Sequence, residues 1–356
     1  MSTATRQGIR IALALLATAV AGCGGGGGGG DLDAGADTDT DTDSDSDTDT
    51  DLDAGSDAGS DAGGGDGGAA ACLEIDVGTS PVGIAYDGVH IWVANENSWD
   101  VTEIVASTGE VVDTFDTGYG AQYLAFDGTY VWVTNVGADT ITRIEAATGD
   151  LDTFSAGDGP DGIAYDEGDD TIWVANYYGG NVTEHDPATG AILHTVTVGT
   201  NPRFVAYDGA YVWVSVSADD HVVKIDPASS SIVGTYDVTG YPYALVFDGT
   251  YLWVTRADNT VSRLDVSDGE IAGTYDAGVA PNGIAFDGTD IWITDQVAGG
   301  VPFPMDTICT LKRLRASDGA HVATYVVGER PQWVLTEGPY TWVTNGSDDT
   351  VWRCAY

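Results

Sequence analysis

The chain has 356 residues, 43% of them hydrophobic, which is ample for one large core or two smaller ones. Its formal net charge is −44, from 56 acidic and 12 basic residues. Such a surface repels phosphate backbones and anionic lipid, which excludes nucleic acid as a partner; cationic ligands, divalent ions or a saline habitat suit it better, and solubility alone accounts for it equally well.

In chain order, Arg6 and Arg10 precede an apolar run from Ile11 to Ala21 that is too short to span a bilayer as a mature helix. "VAGC", ending at Cys23, follows and resembles the lipobox of bacterial lipoproteins. The resemblance implies cleavage after Gly22, a diacylglycerol on Cys23 and an acylated new N-terminus. Several acyl chains, at about 0.8 kcal/mol per buried methylene, make a near-permanent anchor. It implies a location in the bacterial cell envelope. Gly24 after the cysteine, rather than Asp, favours the outer membrane or cell surface by analogy with enteric sorting. Seven glycines (24–30) and a tract with 14 Asp and two Leu (31–68) come next. That composition cannot offset the entropy of ordering, so a disordered, self-repelling tether is expected over 23–70. D-x-D-x-D resembles part of an EF-hand loop, but the glycine at loop position six and the glutamate at twelve are missing. No cofactor and no metal site are therefore expected, with calcium on the tract as the alternative.

From about residue 71 to 356 the chain is periodic. Trp92, Trp132, Trp173, Trp213, Trp253, Trp292 and Trp342 recur at spacings of 40, 41, 40, 40, 39 and 50. Seven repeats of about forty residues suit four-stranded propeller blades. One unit reads as "GIAYD", an Asp-Gly turn, "HIWVAN", a strand such as "TITRIE", and an outer strand such as "VVDTFDTG". The first two strands are apolar on both faces, as a blade lying between two others requires. The tryptophans are thus core, and Asp87, Asp127, Asp166, Asp208, Asp248 and Asp287 are turn residues. The expected fold is an all-β, seven-bladed β-propeller. The last repeat stops at Tyr356 without a fourth strand, while "CLEIDVG" (72–78) is a fourth strand with no blade before it. The N-terminal strand should complete the C-terminal blade, leaving no open sheet edge. Laying "TVWRCAY" on "TITRIEA" and "CLEIDVGTSP" on "LDTFSAGDGP" puts Cys354 and Cys72 directly opposite each other. A Cys72–Cys354 disulfide follows, with Cys309 left as a free thiol.

The pattern G-x-x-P-x-x-(I/V)-A-(Y/F)-D-G…(I/V)-W-V-(A/T)-N…(I/V)-x-(R/K)-(I/L)-(D/E)-x-x-(T/S)-G resembles the YVTN and NHL-type repeats of seven-bladed propellers, over roughly 72–356. The resemblance implies the architecture and leaves function open, since these propellers serve many roles. The chain is also distantly similar to streptogramin lyases, which carry W-F-T-E at the end of strand two. Here those ends read "WVAN", "WVTN", "WVSV", "WVTR" and "WITD". Gluconolactonase-like propellers hold calcium at the axis with Glu, Asn and Asp; Asp161 and Asn282 match in type, without the flanking motifs.

His90, His185, His194, His221 and His321 fall at scattered repeat positions, which argues against a histidine metal site or a Ser/His/Asp triad. Positions that differ between blades are not dictated by packing. The residue after the repeat proline reads Val82, Gln122, Asp161, Arg203, Tyr243, Asn282, Gln332; strand two ends in Asn95, Asn135, Asn176, Val216, Arg256, Asp295, Asn345. Both sets are expected at the upper mouth of the channel. Gln122, Asp161, Arg203, Tyr243, Asn282, Gln332, Arg256 and Asp295 are the candidate binding residues, beside upper-loop aromatics and a long blade-six loop (296–309). No catalytic residue is assigned. The expectation is a monomeric, lipid-anchored binding or scaffold module for a protein, peptide or glycan. The alternative is a lyase or lactonase acting at the mouth.

Overall fold

The computed structural model describes residues 71–297 and 309–356. The expected leader, Cys23, the aspartate tract and most of the 296–309 segment lie outside the described residues. The rest forms seven four-stranded antiparallel sheets. Blade one, from the axis outward, is Pro81–Tyr86, His90–Asn95, Asp100–Val105 and Val111–Asp116. The innermost strands of the next five blades are Ala121–Phe126, Pro160–Asp166, Pro202–Tyr207, Pro242–Phe247 and Val279–Phe286. Each packs against the next, and Pro331–Glu337 of blade seven packs back on blade one, closing the ring.

Closure is as the repeat arithmetic requires. Blade seven takes its fourth strand, Ala71–Asp76, from the start of the domain, paired antiparallel with Thr350–Ala355. Cys72 lies opposite Cys354, their Cα atoms are 4.1 Å apart, and the two form a disulfide. Blade seven is tied onward to blade one. Ser80 donates its backbone N–H to the Asp349 carboxylate at 2.8 Å, Thr344 donates its hydroxyl to the Val82 carbonyl at 2.7 Å, and Arg353 reaches the Ala106 carbonyl at 2.9 Å. The expected free thiol at Cys309 is corrected. Cys309 is disulfide-bonded, and no described cysteine is free.

The repeated phrase has a definite physical job. Six of the seven anchor tryptophans are fully buried and Trp292 is nearly so. In five blades the indole N–H donates to the turn aspartate five residues earlier, at 2.7–2.9 Å: Trp92 to Asp87, Trp132 to Asp127, Trp213 to Asp208, Trp253 to Asp248 and Trp292 to Asp287. The other carboxylate oxygen accepts two turn N–H groups, as Asp127 does from Thr129 and Tyr130. One Asp thus shapes the hairpin and satisfies a buried donor. Burial alone would raise the Asp87 carboxyl, but the N–H groups of His90 and Val89 and the Trp92 indole hold it below its usual range.

A second device is the basic residue opposite the tryptophan on strand three. Arg143 lies 4.4 Å from the Tyr130 ring centroid and donates to the Pro187 carbonyl of the next blade. Lys224, Arg263 and Arg353 do the same toward Val266, Ala316 and Ala106. Four of this acidic chain's scarce cations therefore staple blade to blade. Blade seven breaks the first rule. Glu337 stands where an Asp is wanted, and the buried Trp342 indole has no partner among the described residues. Glu337→Asp should supply the acceptor, stabilise by about 1 kcal/mol and raise the melting midpoint by about 2–4 °C, read by calorimetry. A midpoint at or below the parent's would contradict this reading of the turn.

Candidate binding site at the upper rim

Register fixes which residues meet. Pro81 pairs with Asn95, Ala121 with Asn135, Pro160 with Asn176, Pro202 with Val216, Pro242 with Arg256, Pro281 with Asp295 and Pro331 with Asn345. The residue after each of these positions and the end of each second strand therefore share one end of the ring. Every innermost strand breaks register just there, between the first pair and a pair three residues on, as between Pro160 and Ile163. Such bulges re-aim the intervening side chains.

The axis is not open at this level. The position two after the repeat proline reads Gly83, Tyr123, Gly162, Phe204, Ala244, Gly283, Trp333. Phe204 and Trp333 stack at 4.7 Å, and Tyr123 meets them edge-on at 5.4 and 5.0 Å. Three rings from blades two, four and seven form a floor across the ring. The small residues let neighbouring backbones close in. A Cβ at Gly83 would come within 2.3 Å of the Gln122 carbonyl oxygen, and one at Gly162 within 2.5 Å of the Arg203 carbonyl oxygen. Sequence reasoning missed this floor, although the alternation of aromatic and small residues was there to be read.

A polar cluster adjoins the floor. Asp161 is only 2% exposed and takes one hydrogen bond, from Arg203 Nη1 to its Oδ2 at 3.1 Å. The Arg203 guanidinium lies 4.3 Å from the Tyr177 ring centroid and 5.1 Å from that of Tyr243. The Tyr243 and Tyr123 hydroxyls are 2.9 Å apart. Asp161 Oδ1 and Arg203 Nε are both buried and have no partner among the described residues. Burial pushes the Asp161 carboxyl up to about 6, outweighing Arg203 beside it. Burial also raises Tyr177, to about 12. Arg203 stays charged, because the Asp161 carboxylate more than offsets its own burial.

The other candidates fall into separate groups. Gln122 donates to Glu96 at 3.3 Å on the loop of blade one. Asn282 donates to Gln332 at 2.6 Å, and Gln296 reaches the same oxygen at 3.4 Å. Arg256 donates to Ser262 and Asp258 within its own blade. Asp295 accepts from the Val279 N–H at 2.8 Å and from the Thr310 hydroxyl at 3.2 Å. That is the post Asn135 fills in blade two, where it accepts from Gly118 and donates to Thr142. The structure thus brings Asp161, Arg203 and Tyr243 together, pairs Asn282 with Gln332, and engages Arg256 and Asp295 in strand-end hydrogen bonds.

The histidines are dispersed. His90 sits beside Glu103 and Asp87, His194 beside Glu184, His321 beside Thr324, and His221 beside the Val198 carbonyl. His185 is buried and bonded to Thr183, and burial lowers its pKa. No group of three or more metal-ligating side chains occurs among the described residues.

Among solved structures, the hydrazine synthase of Kuenenia stuttgartiensis is similar in fold, with a TM-score of 0.63 and 19% identity. The match covers 79% of this chain and 97% of that one. At this identity the likeness speaks for the propeller fold alone. No protein-family model and no curated protein matches the chain.

Proposed function

We propose that the chain is an exported lipoprotein of the YVTN/NHL-repeat kind. In this reading Cys23 and the aspartate-rich tether hold it to the cell envelope, and the upper face of the propeller binds a protein, peptide or glycan. The observation that carries the reading is the buried Asp161–Arg203 pair, with one acceptor atom and one donor atom lacking partners. A ring needs no charge there, since well-packed apolar residues are as good or better for stability. The two atoms call for a group that donates and accepts together, as a backbone amide or a sugar hydroxyl does. The Cys72–Cys354 disulfide supports an oxidising compartment.

Two experiments test the two halves. A partner recovered by co-purification from native membranes should bind Arg203→Lys and Tyr243→Phe at least about tenfold more weakly than the parent, a loss of about 1.4 kcal/mol. Val112→Thr on the exposed outer strand serves as the control. If the first two bind like the parent while the control abolishes binding, the upper face is the wrong surface. The anchor is tested by mass spectrometry of the mature chain. An acylated N-terminal peptide supports the anchor; Cys23 recovered in a disulfide overturns it.

A further inference from the structure

Comparing the blades with one another singles out Trp99. In the six blades where the corner after the second strand is described, it contains a residue in the left-handed region. It is Asp139 in blade two, Gly180 in three, Asp220 in four, Asn259 in five and Asp349 in seven. These are the residue types that tolerate that conformation. In four of those blades the side chain also latches the incoming linker of the next blade. Asp139 accepts from the Gly159 N–H, Asp220 from Gly240 and Tyr241, Asn259 from Ala280 and Asp349 from Ser80. Blade one places Trp99 there, at φ 64°. Tryptophan is unsuited to that backbone and cannot form the latch, and its ring is left 48% exposed. The backbone conformation there suits another residue, and the half-exposed indole contributes no latch to the fold.

Its neighbour is equally specific. Tyr119 is the only aromatic at its repeat position, where the other blades carry Thr79, Asp158, Thr200, Gly240, Val279 and Glu329. Its ring meets Trp99 edge-on at 5.0 Å and is 59% exposed. It rests on Gly137, where a Cβ would come within 2.1 Å of the ring. The two rings are therefore held in place before any ligand arrives. Among the described residues, cations cover aromatic faces in the blade staples, and none covers Trp99 or Tyr119. Asp100 follows Trp99 directly and lies opposite Asp116, and Glu96 stands on the same loop, in a chain of net charge −44.

We propose that the Trp99–Tyr119 pair is a preformed platform for a lysine or arginine side chain of a protein or peptide partner. The charge around it selects a cation over a neutral sugar, and the indole is the ring that holds a cation best. The proposal deepens the reading of the upper face as the binding face and rests on it.

The test uses the full chain with N-acetyl-hexalysine amide as probe and maltohexaose as the neutral comparison. Trp99→Asn leaves the net charge unchanged and places at the corner a residue that blade five uses there. It should raise the melting midpoint by about 2–4 °C, and it should weaken hexalysine binding by about fivefold or more. Tyr119→Leu should weaken it too, while Trp99→Phe keeps most of it. Trp99→Asn that binds hexalysine like the parent overturns the proposal, as does a lower midpoint, which would mean that the indole serves packing. Trp99-dependent binding of maltohexaose without hexalysine binding overturns it in favour of a sugar platform. Arg203→Lys keeps the two readings apart. Loss with Trp99→Asn alone supports the platform whatever the polar cluster binds. Loss with Arg203→Lys alone overturns the platform and leaves the cluster reading intact.

Discussion

Replacing both Cys72 and Cys354 by serine is expected to lower the unfolding free energy by up to about 5–6 kcal/mol and the melting midpoint by about 10 °C. The bond closes a separation of 282 residues, so it removes more unfolded-state entropy than a short-loop disulfide can. The chain-entropy figure is an upper bound, because the closing strand has other holds on the ring. Ile75 is buried, and Leu73 packs toward Gly109 of blade one. The position of the bond matters as well. Ala71–Ala355 is the first pair of the closing strand and Cys72–Cys354 the second. A strand peeling from its N-terminus therefore meets a covalent stop after one residue. Amide exchange followed by mass spectrometry should show protection falling first over 71–76 and 350–355 in the serine variant. A midpoint within about 2 °C of the parent, with unchanged exchange in those strands, would show that hydrogen bonds alone seal the ring.

That bond was legible because every step to it is local and repetitive. Tryptophan spacing counts blades, a truncated last repeat and an orphan first strand imply closure, and two repeats laid on a third give the register. Ile144 does lie opposite Leu151, the pair that served as template. The turn aspartates were legible as turn residues, but their second task, accepting the indole N–H, depends on a rotamer that no periodicity reports. The aromatic floor was hidden for a different reason. Tyr123, Phe204 and Trp333 lie 81 and 129 residues apart in sequence. They meet only because the ring has closed, whereas blade-by-blade reading treats each as an independent rim position. The strand-end residues show the converse error of inference. Asn95, Asn135, Arg256 and Asp295 vary in type, yet each has a hydrogen bond within its blade. Variation between repeats marks tolerance for several polar solutions as readily as it marks a ligand.

Arg203→Ala should separate those two meanings for the polar cluster, through the pH dependence of its cost. In the parent, the folded Asp161 carboxyl titrates near 6 against 3.8 for the ordinary group. A carboxyl raised on folding contributes stability that is fully present below the ordinary value and is lost as pH rises through the folded one. Arg203 is what limits that loss, since its charge is the partner of the ionised form. Without the guanidinium the folded value climbs further, and above it a buried carboxylate stands alone. The variant should therefore cost about 1 kcal/mol near pH 4, where Asp161 is largely neutral in the folded state and only a hydrogen bond is missing. Near pH 8 it should cost about 3–5 kcal/mol, the usual penalty for stripping one partner from a buried pair. Asp87 and Asp287, held below their ordinary range by hydrogen bonds despite burial, slope the opposite way, but they are common to both chains and cancel in the difference. Adding Asp161→Asn to Arg203→Ala should recover most of the loss at pH 8, because an amide needs no counterion. Urea midpoints at pH 4, 6 and 8 for the three chains decide the matter. A cost of only about 1 kcal/mol at all three pH values, with a double variant no better than the single, would mean that Asp161 is neutral throughout. In that case the cluster would hold no buried charge for a ligand to complete.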